Sequence, residues 1–302
     1  MSMPLSGVIP GCGPALRGNY LSRDGYRIHY VDRGAGDPLL MLHGNPTWSF
    51  LFRGFALGLE DDYRIIAPDH AGCGLSDTPP ESRYRYTLKS RVDDLEALVE
   101  SLELGNNLTL FLHDWGGFIG LGLAARRPEA IRRLVIFNTA GFLLPAGKRI
   151  HWTLRFCRDS RVAAFMMLRL NAFARLAYRL GCPSKRMPVE VRRIFTLLSD
   201  RPERRRVTLR FVQDIPLGEQ DESYPEALRA QQALEGLGAI PSLILWGDRD
   251  FVFDGDFLAE WQRRLPRAEV HRFPRAGHYA IEEEFDQMLP LVRDFLARHP
   301  VK

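Results

Sequence analysis

A short motif near the middle of the chain constrains its fold more than any other feature. The apolar run Leu108–Leu112 leads into His113 and Asp114, and Trp115, two glycines and a run of mostly small and aliphatic residues follow. The apolar run predicts a buried strand, and the residues after the glycines predict a closely packed helix. The glycines allow a tight turn between these elements. An ionisable side chain, that of Asp114, is therefore expected at a sharp strand-to-helix turn.

This layout is that of a nucleophile elbow in which Asp114 takes the place usually held by serine. A carboxylate is already ionised near neutral pH. It can attack an electrophilic carbon without a base to remove its proton, and the attack leaves an ester on the protein. Leu112 stands where a glycine often precedes the turn, so its side chain must be accommodated close to the elbow.

Composition sets broad limits on the class of protein. The 302 residues are 45% hydrophobic and 26% charged, which predicts a globular chain of one domain with an insertion, or of two domains. Residues 1–13 lack the pattern of a signal peptide, and no apolar run approaches the ~18 residues of a membrane span. We therefore expect a cytoplasmic protein without an integral membrane segment. The cysteines, whose spacing fits neither a disulfide framework nor a metal site, are Cys12, Cys73, Cys157 and Cys182.

The net charge of +4 comes from arginines that are concentrated in the middle third of the chain, for example at 201–206. No aromatic-interleaved basic motif accompanies them, so no nucleic-acid partner is expected. The pattern favours a solvated basic helix face, with docking or anion binding as the alternative. No motif indicates a cofactor or a metal.

Strand and helix patterns alternate over most of the chain, which predicts an α/β fold with a mostly parallel central sheet flanked by helices. Between residues 141 and 238 the alternation stops, and helices broken by prolines replace it. We therefore predict a first part of the core at 1–140, a helical cap at 141–238 and a second part of the core at 239–302. The predicted strands lie at 26–31, 39–42, 63–68, 108–112, 133–138, 242–247 and 269–273.

The clearest helical pattern in the predicted cap runs from residue 161 to residue 180. Its broad apolar face carries Phe165, Met166, Leu168, Phe173, Leu176 and Tyr178. We expect this face to pack on the core or to wall a pocket for an apolar substrate, where Met166 would adapt to the ligand. Contact with a membrane surface is a third interpretation.

Candidate reactive residues follow the predicted strands, where ligand crevices lie in open parallel sheets. Asp114 is the candidate nucleophile, and His278, after a glycine near the end of the last strand, is the candidate base. Asp250 is favoured over Asp248 as the acid that orients His278 and stabilises its cation. Asn138, at another possible acid position, cannot carry the charge. The order of nucleophile, acid and histidine along the chain is that of α/β-hydrolases.

Asn45 and Trp115 are the candidates for stabilising an oxyanion or a leaving group. Their backbone N–H groups are the natural pair of donors, and the indole N–H and the side-chain amide could add two more. The alternatives are core packing for Trp115 and loop hydrogen bonding for Asn45. The histidines expected to brace the site rather than react are His43, His70 and His113.

With these residues in place, essentially the whole chain resembles an Asp-nucleophile α/β-hydrolase of the haloalkane dehalogenase type. The matching motifs are His43–Thr47, Asp69–Asp77 and His113–Gly117. The resemblance implies an α/β-hydrolase fold with a helical cap, and it implies that Asn45 and Trp115 form a halide-binding pair.

A closer likeness lies in less generic segments, which are Asn138–Ala140 with Phe142, Phe211–Leu217, Trp246–Phe253 and Gly277–Tyr279. These resemble the β-lactone decarboxylases of bacterial long-chain olefin biosynthesis. That family converts a cis-β-lactone with two alkyl chains into a cis-olefin and carbon dioxide. It implies an assembly with a thiolase-like enzyme, a β-lactone synthetase and a reductase. Because this reaction consumes no water, His278 would only position groups or shuttle a proton.

The residues expected to line the pocket for such a substrate are Phe142, Phe165, Met166, Phe173, Phe253 and Tyr279. The main alternative function is that of a haloalkane dehalogenase. An epoxide hydrolase would need two cap tyrosines, for which Tyr178 and Tyr224 are the candidates, although Asn45 argues against it. A non-catalytic ligand-binding protein of this fold is a further alternative, but such receptors often lose a triad member and none is lost here.

Overall fold

The computed structural model describes residues 18–301, so Cys12 and the predicted absence of a signal peptide at 1–13 lie outside the described residues. Over this range one sheet holds eight strands in the order β1-β2-β4-β3-β5-β6-β7-β8. The strands are β1 (Asn19–Arg23), β2 (Tyr26–Arg33), β3 (Pro38–Leu42), β4 (Arg64–Pro68), β5 (Leu108–Asp114), β6 (Ile131–Thr139), β7 (Ser242–Gly247) and β8 (Glu269–Phe273).

Twelve α-helices complete the described range. Those before β7 are α1 (Arg53–Leu59), α2 (Leu88–Ser101), α3 (Trp115–Arg126), α4 (Trp152–Asp159), α5 (Arg161–Leu170), α6 (Ala172–Leu180), α7 (Val189–Ser199), α8 (Pro202–Gln213) and α9 (Tyr224–Leu237). Those after it are α10 (Gly255–Arg264), α11 (Ala280–Glu283) and α12 (Phe285–Arg298).

The sheet is parallel from β4 to β8 and antiparallel only where β2 meets β1 and β4. Every residue of β3, β5 and β7 is buried, because helices cover both faces of a parallel sheet. The predicted α/β fold with a mostly parallel sheet is confirmed. Strand β1 was not predicted, since it is an edge strand that exposes three of its five residues and carries little apolar pattern.

Helices α4 to α9 lie between β6 and β7 and form an insert in the α/β alternation. The prediction of a single helix over residues 161–180 is wrong, because Asn171 adopts a left-handed conformation with φ 52° between α5 and α6. Asparagine tolerates this conformation better than most residues. Helix α9 packs against α2 and α3 beside the sheet, so α4 to α8 are the helices of the insert that can cover the site. The division at residues 140 and 238 stays a prediction of domains.

The parallel register brings the carboxyl ends of β3, β5, β7 and β8 to one edge of the sheet. Asp114 is the last residue of β5, and the candidate residues Asn45, Asp250 and His278 follow the ends of β3, β7 and β8. None of the helices within residues 18–301 has both the length and the apolar character needed to cross a bilayer.

Candidate active site

Asp114 occupies a strained backbone position at the junction of β5 and α3. Its φ is +50° with ψ −123°, a region that a residue with a Cβ adopts only when its surroundings impose it. Thr139 at the end of β6 donates a hydrogen bond from its hydroxyl to the Asp114 carbonyl. A Cβ at Gly44 would overlap the Asp114 carboxyl group, so glycine is required where the β3 loop passes the elbow.

Leu112, the departure from the usual elbow pattern, is accommodated by a glycine one turn into α3. A Cβ added at Gly120 would lie 2.5 Å from Leu112 Cδ2 and 2.9 Å from Leu42 Cδ1. Helix α3 therefore approaches β5 closely because Gly120 has no side chain. The pair keeps the turn sharp even though residue 112 is large.

The carboxyl group of Asp114 is buried, with 8% of the residue exposed. Its Oδ1 accepts the backbone N–H of Asn45 at 2.5 Å, and its Oδ2 lies 3.8 Å from His278 Nε2. Burial raises the pKa of Asp114, while His278 and the backbone N–H groups of Asn45 and Trp115 act in the opposite direction. The predicted pair of backbone donors thus faces the carboxylate itself.

His278 is oriented by Asp250, and Asp248 lies elsewhere. The Nδ1–H of His278 donates to Asp250 Oδ2 at 2.8 Å, and Asp250 Oδ1 accepts the backbone N–H of Val252 at 2.7 Å. Asp248 instead pairs with Arg272 at 3.0 Å. Burial by itself lowers the pKa of His278, but Asp250 and Asp114 together raise it above its ordinary value. The imidazolium form is therefore favoured between these two carboxylates.

Two buried groups hold the loop that carries His278. The ring of His113 donates from Nε2 to the His278 carbonyl at 2.9 Å, and Glu283 accepts the backbone N–H of Gly277 at 2.6 Å. Burial and the neighbouring His278 keep the pKa of His113 well below its ordinary value, so His113 acts as a neutral brace. Sequence reasoning missed Glu283, whose only signal is a run of three glutamates after the histidine.

His43 and His70 form a second buried brace beneath the Asn45 loop. His43 donates to the Gly44 carbonyl at 2.8 Å, and the His70 ring donates to the His43 carbonyl at 2.9 Å. Burial lowers the pKa of both rings, so both are held neutral. Neither side chain reaches the Asp114 carboxyl group by a hydrogen bond.

Asn138 links the ends of two strands. Its amide donates to the Gly247 carbonyl at 2.9 Å and accepts the Gly247 N–H at 2.8 Å. This reciprocal pair of bonds holds β6 to β7 just before the loop that carries Asp250. Asn138 therefore helps to position the loop that carries Asp250, a role that a neutral amide can fill.

Asn45 and Trp115 both reach the cavity beside Asp114, but by different means. The Asn45 amide donates to the Thr208 carbonyl of α8 at 3.2 Å, and its Oδ1 is buried without a hydrogen-bond partner within residues 18–301. The indole N–H of Trp115 has no acceptor among the described residues, while its ring packs on Phe211. One side-chain donor, that of Trp115, is thus free for a ligand, and Asn45 also ties the insert to the core.

A cavity of about 700 Å³ opens beside the carboxyl group of Asp114. Five of the six predicted pocket residues line it, namely Phe142, Met166, Phe173, Phe253 and Tyr279. The sixth, Phe165, is not among the lining residues; it is 60% exposed and lies about 100° around α5 from Met166. Sequence reasoning missed the wall formed by α4, whose signal is the spacing of Trp152 and Phe156 by one helical turn.

A family model for the alpha/beta hydrolase fold matches residues 37–285. This chain belongs to that family. It is 44% identical over 278 residues to the cis-3-alkyl-4-alkyloxetan-2-one decarboxylase of Shewanella oneidensis, covering 92% of this chain and 87% of that protein. It is 43% identical over 286 residues to the enzyme of the same name from Xanthomonas campestris pv. campestris, covering 92% and 95%.

Solved structures of haloalkane dehalogenases are similar to this chain over most of its length. The crystal structure of a loop variant of haloalkane dehalogenase DbeA from Bradyrhizobium elkanii superposes with a TM-score of 0.80 at 26% identity, covering 93% of this chain and 96% of that one. The resemblance to a haloalkane dehalogenase-like hydrolase and to the β-lactone decarboxylases is confirmed.

The two tyrosines that an epoxide hydrolase of this family would need are not at the cavity. Tyr178 is buried and donates its hydroxyl to the Pro46 carbonyl at 2.7 Å. Tyr224 begins α9 beside the sheet, and neither residue lines the cavity. The pair of tyrosines that favoured an epoxide hydrolase is therefore missing from the cavity.

Proposed function

We propose that this chain decarboxylates cis-3-alkyl-4-alkyloxetan-2-ones, which are β-lactones with two alkyl chains, and releases a cis-olefin and carbon dioxide. The observation that carries the proposal is the Asp114 carboxyl group on the buried wall of a cavity lined almost entirely by apolar side chains. Relatives with that printed name are 43% and 44% identical to this chain. The dehalogenase structure, at 26% identity, is more distant.

In the proposed first step, Asp114 Oδ2 attacks the ring carbon that bears the ring oxygen. The carbon–oxygen bond breaks, its electron pair passes to the lactone carboxyl group, and an alkyl ester forms on Asp114. Ring strain supplies the driving force. The freed carboxylate of the substrate would lie near the Trp115 indole N–H, for which residues 18–301 offer no acceptor.

In the second step the substrate carboxylate leaves as carbon dioxide. The electrons of the broken carbon–carbon bond form the double bond, and the ester bond to Asp114 breaks to restore its carboxylate. Inversion in the first step followed by anti elimination in the second turns a cis-lactone into a cis-olefin. No water and no net proton enter this sequence.

Attack at the lactone carbonyl fits this outcome less well. It would leave the ring oxygen on the carbon that must become part of the double bond, and an alkoxide is a poor leaving group. Attack at the ring carbon makes the departing group a carboxylate. As an imidazolium hydrogen-bonded to Asp250 at 2.8 Å, His278 would stabilise the Asp114 carboxylate as it leaves.

The purified protein is tested with a synthetic dialkyl cis-β-lactone and, separately, with a bromoalkane, scoring olefin against released bromide. We expect olefin from the lactone, and no olefin from the Asp114→Ala variant. A single turnover in ¹⁸O-labelled water should leave the Asp114 peptide unlabelled. The second candidate function is that of a haloalkane dehalogenase, which the Asn45 and Trp115 pair favours. Release of bromide without olefin, with label in the Asp114 peptide, would establish that function instead.

This function also implies a place beside other enzymes of olefin synthesis. We propose an assembly with a thiolase-like enzyme, a β-lactone synthetase and a reductase, as the family resemblance implies. Size-exclusion chromatography of the mixed purified proteins checks it, and elution of each protein at its own volume would exclude a stable assembly.

A further inference from the structure

Large apolar side chains face solvent at the opening of the cavity. Five residues line the cavity and are at the same time exposed, by 72% at Trp152, 42% at Phe156, 53% at Leu176, 56% at Leu180 and 39% at Phe251. A side chain that does both lies at the opening, so we call these five residues the mouth ring. They come from α4, α6 and the loop after β7. Clustered apolar side chains of this size on a surface mark an interaction site.

Positive charge is concentrated in the same part of the chain. Residues 149–180 hold seven arginines and one aspartate, whereas the whole chain has a net charge of only +4. Some of these arginines are paired, such as Arg155 with Asp159 at 2.5 Å. The exposed arginines of this segment without an acidic partner in the described structure are Arg149, Arg161, Arg169 and Arg179.

We propose that the mouth ring docks on the surface of an anionic lipid bilayer, so that the cavity opens into the acyl layer. Apolar side chains enter the boundary between headgroups and acyl chains, and arginines beside them bind the phosphate groups. On α6 the two kinds of side chain are adjacent, since Leu176 and Leu180 belong to the ring and Arg179 lies between them in sequence. This combination of arginines and apolar side chains is complementary to a bilayer whose surface is negatively charged and whose interior is apolar.

A bilayer fits this site better than a protein partner. A protein seated on the ring would close the opening through which a ligand must pass, whereas acyl chains continue the apolar lining of the cavity. An alkyl-chain ligand dissolved in the bilayer could then enter without crossing water. This inference needs only an apolar ligand, and it holds whichever reaction Asp114 performs.

Co-sedimentation with lipid vesicles tests the proposal directly. We expect the wild-type chain to bind vesicles of phosphatidylcholine mixed with phosphatidylglycerol, to bind pure phosphatidylcholine weakly, and to lose binding at high salt. Trp152 provides a local probe, because the other four tryptophans are at most 7% exposed. Brominated lipid should therefore quench fluorescence in the wild-type chain and much less in Trp152→Phe.

Two double variants test the two components of the surface. Replacing two of the four unpaired arginines, in Arg149→Gln with Arg179→Gln, should weaken partition to anionic vesicles by roughly ten- to thirtyfold, since each arginine contributes about fivefold. Trp152→Ser with Phe251→Ser should weaken it by at least about tenfold. The Asp114→Ala variant should bind vesicles like the wild type, which separates docking from catalysis.

Matched controls come from exposed residues outside the insert. Leu57→Ser, at a leucine that is 47% exposed on α1, and Arg132→Gln, at the start of β6 and so at the opposite edge of the sheet, should leave vesicle binding unchanged. The proposal is overturned if the wild type ignores anionic vesicles, or if controls and ring variants lose binding equally. Capture of a pathway enzyme through the ring without vesicle binding would assign the surface to a protein and also overturn it. If a mouth-ring variant fails to fold, quenching of wild-type tryptophan fluorescence by brominated lipid still tests the proposal.

Discussion

The edge of the sheet and the insert above it are built in opposite ways. Helix α3, which carries the elbow, buries nine of its twelve residues, whereas α4 of the insert buries none of its eight. Close packing against the sheet restricts the position of the elbow that carries Asp114. Apolar side chains of the insert line the cavity and its opening instead. We therefore expect the core to determine the reaction and the helices of the insert to determine the choice of ligand.

The largest effect on activity is expected when the buried charge of Asp250 is removed. Asp250→Asn removes the carboxylate that orients His278 and supports its cation, so kcat should fall on the order of 10³- to 10⁴-fold. Asp248→Asn is the matched control, since Asp248 pairs with Arg272 away from His278, and its kcat should change less than about threefold. Steady-state olefin formation measures both. Equal losses in the two variants would contradict the assignment of the acid.

The contact between α3 and β5 should be the most sensitive point of the core to added volume. Gly120→Val should lower the free energy of unfolding by about 2–3 kcal/mol, because its Cβ meets Leu112 in a close-packed interior. Adding Leu112→Ala should cost less than the sum of the two single changes by about 1 kcal/mol or more.

Gly236→Val is the control for that contact, since a Cβ at Gly236 in α9 meets open space. Its cost should stay within about 1 kcal/mol. Urea denaturation of the four variants measures these values. Strict additivity of Gly120→Val and Leu112→Ala would mean that the two residues do not share their space.

The pH dependence should distinguish the charged His278 from a neutral base. The pKa of His278 is raised above its ordinary value of 6.5, so the imidazolium is present below the raised pKa and lost as pH rises through it. Olefin formation should therefore fall about tenfold per pH unit above that value. The raised pKa of Asp114 adds a loss on the acid side, where the nucleophile is protonated. A rate that rises through the His278 pKa would indicate water activation by the neutral ring instead.

The smallest effect on folding is expected in the insert. Phe173→Ala removes a ring that lines the cavity, so kcat/KM for long-chain lactones should fall about five- to tenfold, while unfolding changes by about 1 kcal/mol. Phe137→Ala, at a fully buried ring of β6, should cost about 3–5 kcal/mol instead. Thermal melts and kinetics with two chain lengths measure the contrast. The contrast between the core and the insert would be contradicted if Phe173→Ala destabilised the fold as much as Phe137→Ala.

The prediction from sequence succeeded where the pattern is local and the element is buried. Strands β7 and β8 were predicted at their observed bounds, because short apolar runs between turns leave little choice. His29 shows the opposite case. Its ring is buried in β2, and its Nδ1 lies 2.8 Å from Asp69 Oδ2, a partner forty residues away that no local pattern reveals.

The amino-acid sequence by itself determined the order of elements, the elbow at Asp114 and the chain order that ends in His278, since each of these depends on neighbouring residues. Only the tertiary structure decided that Asp250 and not Asp248 meets His278, that Gly120 makes room for Leu112, and that Phe165 does not line the cavity. The physical reason is that such contacts join residues far apart in the chain. Burial and hydrogen-bond geometry select them, and both exist only after the elements have packed.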